Sequence, residues 1–321
     1  MPFLWLEITG KCQLACEHCY AGSGPTGTQG TMTTSDWIRV IDEAREFGVQ
    51  RLQFIGGEPT LHSDLPVLIR HALDHGITVE VFTNLVHVGE KLWKVFALPG
   101  VRLATSCYSP DAAEHDAITA RRGSHGKTLV NIRKTIRLGI PLRVGVVGVR
   151  QGQGVDDAVA ELTRLGVADV GVDELRQVGR GVRDQEPGVN QLCGNCANGT
   201  LAVSPDGLVW PCVFARWMVL GNVRDTSLAD IHTGPAASIA RAELNAAFAQ
   251  RSRAEVVDVG DCGPHCRPNC HPSCEPSCSP RCGPTCVPIS CQPRECWPSF
   301  EGRGRLKGHP SRDSEETVVG L

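Results

Sequence analysis

Between residues 3 and 172, short apolar runs alternate six times with amphipathic stretches, and this repetition limits the possible folds more than any other feature of the chain. The runs cover 3–8, 51–55, 78–82, 101–106, 142–149 and 169–172. They are rich in Val, Ile and Leu, as strands buried on both faces tend to be. Between them, apolar residues recur at helical spacing. Thr33 and Asp36 have the spacing of a capping box ahead of Trp37, Ile41, Ala44 and Phe47, and Gly48 closes that helix. The stretches 65–75, 128–138 and 155–165 stop at Gly76, Gly139 and Gly166. Six β/α units in succession predict an α/β fold, a partial (β/α)6 TIM-like barrel built on a parallel sheet with right-handed crossovers. The reactive site of such a sheet belongs at the C-terminal ends of its strands.

The pattern changes near residue 185. "GTLAVSPDGLVWPC" reads as a β-hairpin, "TSLADIH" as a short helix and "PAASIARAELNAAFAQR" as a longer one. From Cys262 to Cys286 a cysteine falls at every fourth residue, with a proline central in each intervening triplet. That proline period rules out a helix, so the tract 262–296 is expected to order only around metal bound by its sulfurs. The organisation expected is a core over 1–185, a small cysteine-rich extension over 186–300 and a disordered tail over 301–321.

With 321 residues, 21% charged residues and a net charge of −3, nothing calls for a nucleic-acid or membrane-surface partner. No apolar run is long enough for a membrane helix, and MPFLWLEI lacks the basic start of a signal peptide. A cytoplasmic protein is expected. Its 16 cysteines then point to metal or iron–sulfur ligation rather than disulfides.

Cys12, Cys16 and Cys19 form CxxxCxxC, followed by Tyr20, in the loop after the first strand. A structural zinc knuckle would need a fourth protein ligand. His18 is available but lies within the loop, between two of the thiolates. Three thiolates on a [4Fe–4S] cluster instead leave one iron open to a small molecule. This motif, in this place, resembles the radical S-adenosylmethionine (SAM) superfamily. The resemblance implies that SAM chelates the open iron and is cleaved to methionine and a 5′-deoxyadenosyl radical, which removes hydrogen from a substrate. Other stretches resemble the same family. "GGEP", Gly56, Gly57, Glu58 and Pro59, ends the second strand. It implies close approach of backbone to the methionyl group, with Glu58 accepting from its amine. Thr83 and Asn84 end the third strand as in the family's TNG, with Leu85 in place of glycine. Ser106 matches a ribose or methionyl contact. "HDAITARRGS" implies that Arg122 meets the SAM carboxylate, and Tyr20 is expected beside the adenine.

Cys196 and Cys212, in the spacing Cx₁₀Gx₄C around Gly207, resemble the opening of the SPASM extension of such enzymes, and "RQVGRG" resembles the segment before it. The resemblance implies one or two auxiliary [4Fe–4S] clusters. Their ligands would come from Cys193, Cys196 and Cys212, with Cys262, Cys266, Cys270, Cys274, Cys278, Cys282, Cys286, Cys291 and Cys296 as the remaining pool. The regular xPxC repeat departs from the family's later spacings.

A ribosomally made peptide is the substrate class this implies, modified by crosslinking, thioether formation or epimerisation. An external reductant such as a ferredoxin or flavodoxin is implied too. Because the chain starts at its first strand, leader recognition is expected from a separate protein. Small-molecule oxidation in natural-product biosynthesis is the alternative. Sulfatase maturation is disfavoured, since maturases typically carry Asp where Val213 follows Cys212. A non-catalytic iron–sulfur or metal-binding protein is the reading outside enzymes, and it leaves GGEP without a use. Cys107 reads as a small buried residue, and His18, His62 and His115 as loop or cap residues. Asp173 and Glu174, at the end of the sixth strand, read as solvated or salt-bridged, with proton acceptance the sharper option.

Overall fold

The computed structural model describes residues 3–257 except Asn195 and Ala197, with the backbone alone over 252–257. The nine cysteines of the tract 262–296 and the tail 301–321 lie outside the described residues.

Six parallel strands form the core: β1 (Phe3–Thr9), β2 (Arg51–Gly56), β3 (Thr78–Phe82), β4 (Val101–Cys107), β5 (Leu142–Gly148) and β6 (Asp169–Glu174). They lie side by side in chain order, as six right-handed β/α units require. The helices between them are α1 (Thr34–Glu46), α2 (Leu65–Asp74), α3 (Glu90–Phe96), α4 (Ala112–Thr119), α5 (Ser124–Arg137) and α6 (Val155–Arg164). The box at α1 is complete: the Asp36 amide donates to Thr33 Oγ1 and the Thr33 amide to Asp36 Oδ2, at 3.2 and 2.8 Å. Trp37, Val40, Ile41 and Ala44 of α1 are buried against the sheet.

The sheet does not stop at β1. The expected hairpin is present as β7 (Thr200–Val203) and β8 (Leu208–Trp210), and β7 pairs in parallel with β1. A short β9 (Gly221–Asn222) brings the open sheet to nine strands among the described residues, followed by α7 (Leu228–Thr233) and α8 (Pro235–Val257). The segment after residue 185 thus extends the core sheet directly.

Alternation along β1 divides the two faces. Leu4, Leu6 and Ile8 join the core beneath the helices, whereas Phe3 and Trp5 join a second cluster with Ile55, Trp210, Cys196 and Cys212. On that second face the strands also carry charge. Glu80 is fully buried and takes Arg143 Nη2 at 2.8 Å, Arg143 Nε at 3.1 Å and Arg102 Nε at 3.1 Å, with the Gln53 amide also donating to it. A charge this deep persists only when paired and hydrogen-bonded. The network holds β2, β3, β4 and β5 together across their inner face.

Candidate active site

The loop after β1 is held from two sides. On one, Ala15 and Glu17 donate their amides to Thr119 O and Ile118 O of α4, at 3.2 and 3.0 Å. On the other lies the segment following β6. Arg180 donates from Nε to Cys16 O (2.9 Å), from Nη2 to Ser23 O (2.6 Å) and from its amide to Cys19 O (3.0 Å). Gly179 makes this contact possible, because a Cβ there would meet Tyr20 O at 2.2 Å and its φ is +60°. "RQVGRG" therefore acts as a brace for the cysteine loop.

Cys12, Cys16 and Cys19 face one cleft at the C-terminal ends of the strands, which encloses about 1200 Å³ of space partly continuous with solvent. Gly56, Gly57, Asn84, Ser106 and Tyr20 line the same cleft. Burial pushes the Cys12 thiol up to about 12, and burial with its thiol neighbours raises Cys16 further. Cys12 is buried and Cys16 and Cys19 are half-buried, so the first two are costly as bare thiolates, and a bound cationic cluster offsets that cost. The donor set fits the iron–sulfur group that the sequence motif implies.

The two glycines of GGEP have a further role. A Cβ on Gly56, whose φ is +125°, would sit 2.4 Å from Thr9 O, and one on Gly57 would sit 2.2 Å from Lys11 O. They seat the end of β2 against the start of the cysteine loop. Glu58 lies behind the cleft wall. It is fully buried, with Oε1 accepting from Thr83 Oγ1 (2.7 Å) and the Thr60 amide (3.0 Å), and Oε2 from the Asn84 amide (2.8 Å). Its oxygens are engaged by protein donors, so Glu58 ties the end of β2 to the end of β3. Burial pushes its carboxyl up, opposed by those hydrogen bonds. Pro59 starts a short 3-10 turn, and it and Thr83 are buried off the cleft. Leu85, in the family's glycine position, adopts φ 56° with its side chain in the core.

Arg122 is exposed in the turn after α4 and is not in the cleft lining. The arginines in the lining are Arg176 and Arg180, whose guanidinium groups also hold Gln191 O and Asp173, and Cys16 O and Ser23 O, respectively. Asp173 and Glu174 also line it. Asp173 is paired with Arg176 at 2.9 Å, yet burial is the larger influence and pushes its carboxyl up. Tyr20 packs edge-on to Phe214 at 5.2 Å, beneath Arg216. Sequence reading singled out Val213 and the RQVGRG segment but gave Arg176 and Arg180 no place in the cleft, and it passed over Phe214; all four line the cleft.

Cys193, Cys196 and Cys212 converge beside this wall. The Cys196 and Cys212 sulfurs are 3.1 Å apart, and the Cys193 side chain hydrogen-bonds to Cys196. His62 accepts the Asp64 amide at Nδ1 (3.2 Å), as a cap residue does. His18 and His115 both line the cleft, and burial pulls each down to about 4, so both imidazoles are neutral.

An open parallel sheet with a three-cysteine loop at its C-terminal edge defines a class, and the family comparison agrees. The radical SAM superfamily model matches residues 6–166, and the model of an iron-sulfur cluster-binding domain, SPASM, matches residues 193–278. The chain belongs to the radical SAM superfamily and carries a SPASM domain; its cofactors are SAM and iron–sulfur clusters. Among curated relatives it is 27% identical over 277 residues to a PqqA peptide cyclase of Granulibacter bethesdensis, covering 72% of this chain and 73% of the relative. A PqqA peptide cyclase of Rhodopseudomonas palustris is 32% identical over 175 residues, 51% of this chain and 46% of that one. Among solved structures, Streptococcus suis SuiB bound to precursor peptide SuiA superposes with a TM-score of 0.62 at 15% identity, over 73% of this chain and 65% of SuiB. The anSMEcpe structure with bound AdoMet and Cp18Cys peptide gives 0.57 at 14% identity, covering 77% of this chain and 82% of that one. At these identities the structural likeness establishes the fold. The chain spans less than two thirds of SuiB.

Proposed function

We propose that this protein is a radical SAM enzyme that modifies a peptide. The observation that carries the radical chemistry is the convergence of Cys12, Cys16 and Cys19 with Gly56, Gly57, Asn84 and Ser106 on one cleft. The peptide is supported by the relatives, named as peptide cyclases over most of the chain's length.

Cys12, Cys16 and Cys19 would hold the [4Fe–4S] cluster and leave the SAM-binding iron open. Bound together, cluster and SAM supply hydrogen-atom abstraction from carbon. The chain's own residues then set the geometry. Gly56 and Gly57 present bare backbone to the cleft, Asn84 and Ser106 offer polar contacts, and Tyr20 offers an aromatic face. Arg180 and Arg176 are the cations placed to meet a carboxylate there. Forming a new bond in a peptide removes a second hydrogen as a proton, and its electron must leave as well. Asp173, with its carboxyl raised by burial, is the wall group suited to accept that proton. Cys193, Cys196 and Cys212, joined by cysteines of the tract 262–296, would hold one or two auxiliary clusters beside the wall as the electron's destination. Formylglycine chemistry is disfavoured because buried Val213, which cannot take a proton, lines the cleft at the position of interest.

This reading includes an external one-electron reductant such as a ferredoxin or flavodoxin, a separate protein presenting the peptide's leader, and a cytoplasmic location. Among the described residues no helix is long and apolar enough to cross a membrane. The test is anaerobic reconstitution with SAM and reductant. The wild type should release 5′-deoxyadenosine and methionine, and Cys12, Cys16 and Cys19 changed together to Ala should abolish release. Co-expression with a short peptide encoded nearby should yield a product lacking two hydrogens. Undiminished cleavage in the triple variant would sink the chemistry. An unmodified peptide, with a small molecule turned over instead, would sink the substrate class.

A further inference from the structure

A second set of metal-ligating side chains lies away from the three-cysteine loop. Cys107 ends β4, His115 sits on α4 and His125 is in the first turn of α5. All three are buried, with exposures of 1%, 1% and 8%. The Cys107 sulfur and one ring nitrogen from each histidine lie within 4.8 Å of one another.

The contacts these groups make within the protein are poor. Cys107 Sγ is 3.8 Å from His115 Nδ1 and 3.9 Å from Ser109 O. Besides this, among the described residues His115 Nδ1 has a long 3.4 Å bond from the Tyr108 amide. Among the described residues, His125 Nε2 is buried without a hydrogen-bond partner. Buried polar groups left this way call for an unseen water or ion. A tetrahedral zinc ion, with Zn–S of about 2.3 Å and Zn–N of about 2.0–2.1 Å, sets its sulfur and nitrogen ligands about 3.6 Å apart. The observed 3.8 Å is close to that edge and long for a thiol–imidazole hydrogen bond.

The scaffold is also fixed in advance. Asp116, next to His115, accepts the His125 amide and Ser124 Oγ, both at 2.9 Å, and so locks the start of α5 onto α4. The two imidazoles stack edge-on at 5.1 Å. His115 also lines the cleft.

We propose that Cys107, His115 and His125 form a binding site for a zinc-type divalent transition metal, clamping β4, α4 and α5 below the cleft. The mixed sulfur and nitrogen donors favour such an ion over magnesium or calcium. Three protein ligands leave one position for water or another small ligand. None of its three residues is among the cysteines attributed to iron.

The experiment uses the full-length chain, grown with added zinc and purified without oxygen, with zinc and iron counted by mass spectrometry. The other 15 of the 16 cysteines and the surface trio Asp42, His71 and His75 can also take zinc, so the reading is the difference between proteins. Cys107→Val and His125→Phe should each hold about one zinc fewer per chain than the wild type, with unchanged iron and far-ultraviolet circular dichroism. Equal zinc in folded variants would overturn the site and leave the cluster as buried polar packing. If the variants do not fold, wild-type crystals measured at the zinc edge decide it. An anomalous peak among the three ligand atoms supports the site, and none there refutes it.

Discussion

Replacing Gly57 by Ala tests whether GGEP acts through the cysteine loop. The added Cβ would lie 2.2 Å from Lys11 O, 2.6 Å from Lys11 C and 3.0 Å from Gly10 C, all backbone atoms. Ordinary carbon contacts begin near ~3.5 Å, so the Lys11 carbonyl must withdraw by about 1 Å. Two bonds are broken or stretched in consequence, from the Gly57 amide to Thr9 O (2.6 Å) and from the Glu58 amide to Lys11 O (2.8 Å). Overpacking costs about 1–3 kcal/mol and each lost hydrogen bond about 0.5–1.5 kcal/mol, a total of about 2–6 kcal/mol. For a chain of 321 residues that lowers the melting temperature by roughly 3–9 °C. Because Lys11 precedes Cys12, the displacement also reaches the first of the proposed cluster ligands. Thermal melts of the apo protein, iron content after anaerobic reconstitution, and 5′-deoxyadenosine release should all fall together. Gly126→Ala is the control, in α5 with nothing within 4 Å of its Cβ, and should be neutral or stabilising by about 0.5–1 kcal/mol. A Gly57→Ala protein that melts with the wild type and keeps its iron would refute the argument.

Two further outcomes follow from the charges and the sulfurs. Arg143→Met removes a two-point partner from fully buried Glu80 and should cost about 3–5 kcal/mol in chemical denaturation, with part regained on adding Glu80→Leu; additive losses would show that the pair is not coupled. Changing Cys193, Cys196 and Cys212 to Ala should remove auxiliary iron and stop peptide product while sparing uncoupled SAM cleavage, and continued product formation would detach these cysteines from the chemistry.

The fold was legible where pattern and punctuation agreed. The expected strand 78–82 is β3 to the residue, and Gly48, Gly76, Gly139 and Gly166 follow their helices at positive φ. Helix α3, at seven residues, is too short to show a period, and α4 buries His115, Ile118 and Thr119, which form no apolar stripe. The pairing of β7 with β1 was invisible because register between distant strands leaves no local mark. The charged inner face, Glu80 with Arg102 and Arg143, was hidden in runs read as apolar. At the site, the cysteine spacing and the strand-end motifs were readable because metal geometry and glycine sterics demand particular residues. Arg176 and Arg180 were not, since any residue's place in a cleft built from distant loops depends on tertiary packing.

The β7–β1 pairing has a chemical consequence as well. Cys212 stands two residues beyond β8, and the chain turns at once, with the Ala215 amide bonded to Cys212 O at 3.2 Å. Val213 and Phe214, inside that turn, are part of the cleft wall. Arg216 then reaches Glu7 of β1 at 2.7 Å, with its guanidinium 4.2 Å over the Trp210 ring. Glu7 is 1% exposed and lies two residues before the end of β1, so this buried pair anchors the turn to the strand that launches the cysteine loop. Five residues thus run from Cys212, a proposed auxiliary ligand, through the wall of the cleft, to the strand that launches the three-cysteine loop. A SPASM segment joined by a flexible linker would leave the separation of the two sulfur groups free to vary. Here β7 is bonded into the same sheet as β1, so both sulfur groups are referred to one frame, which fits the proposed role of Cys193, Cys196 and Cys212 beside the cleft.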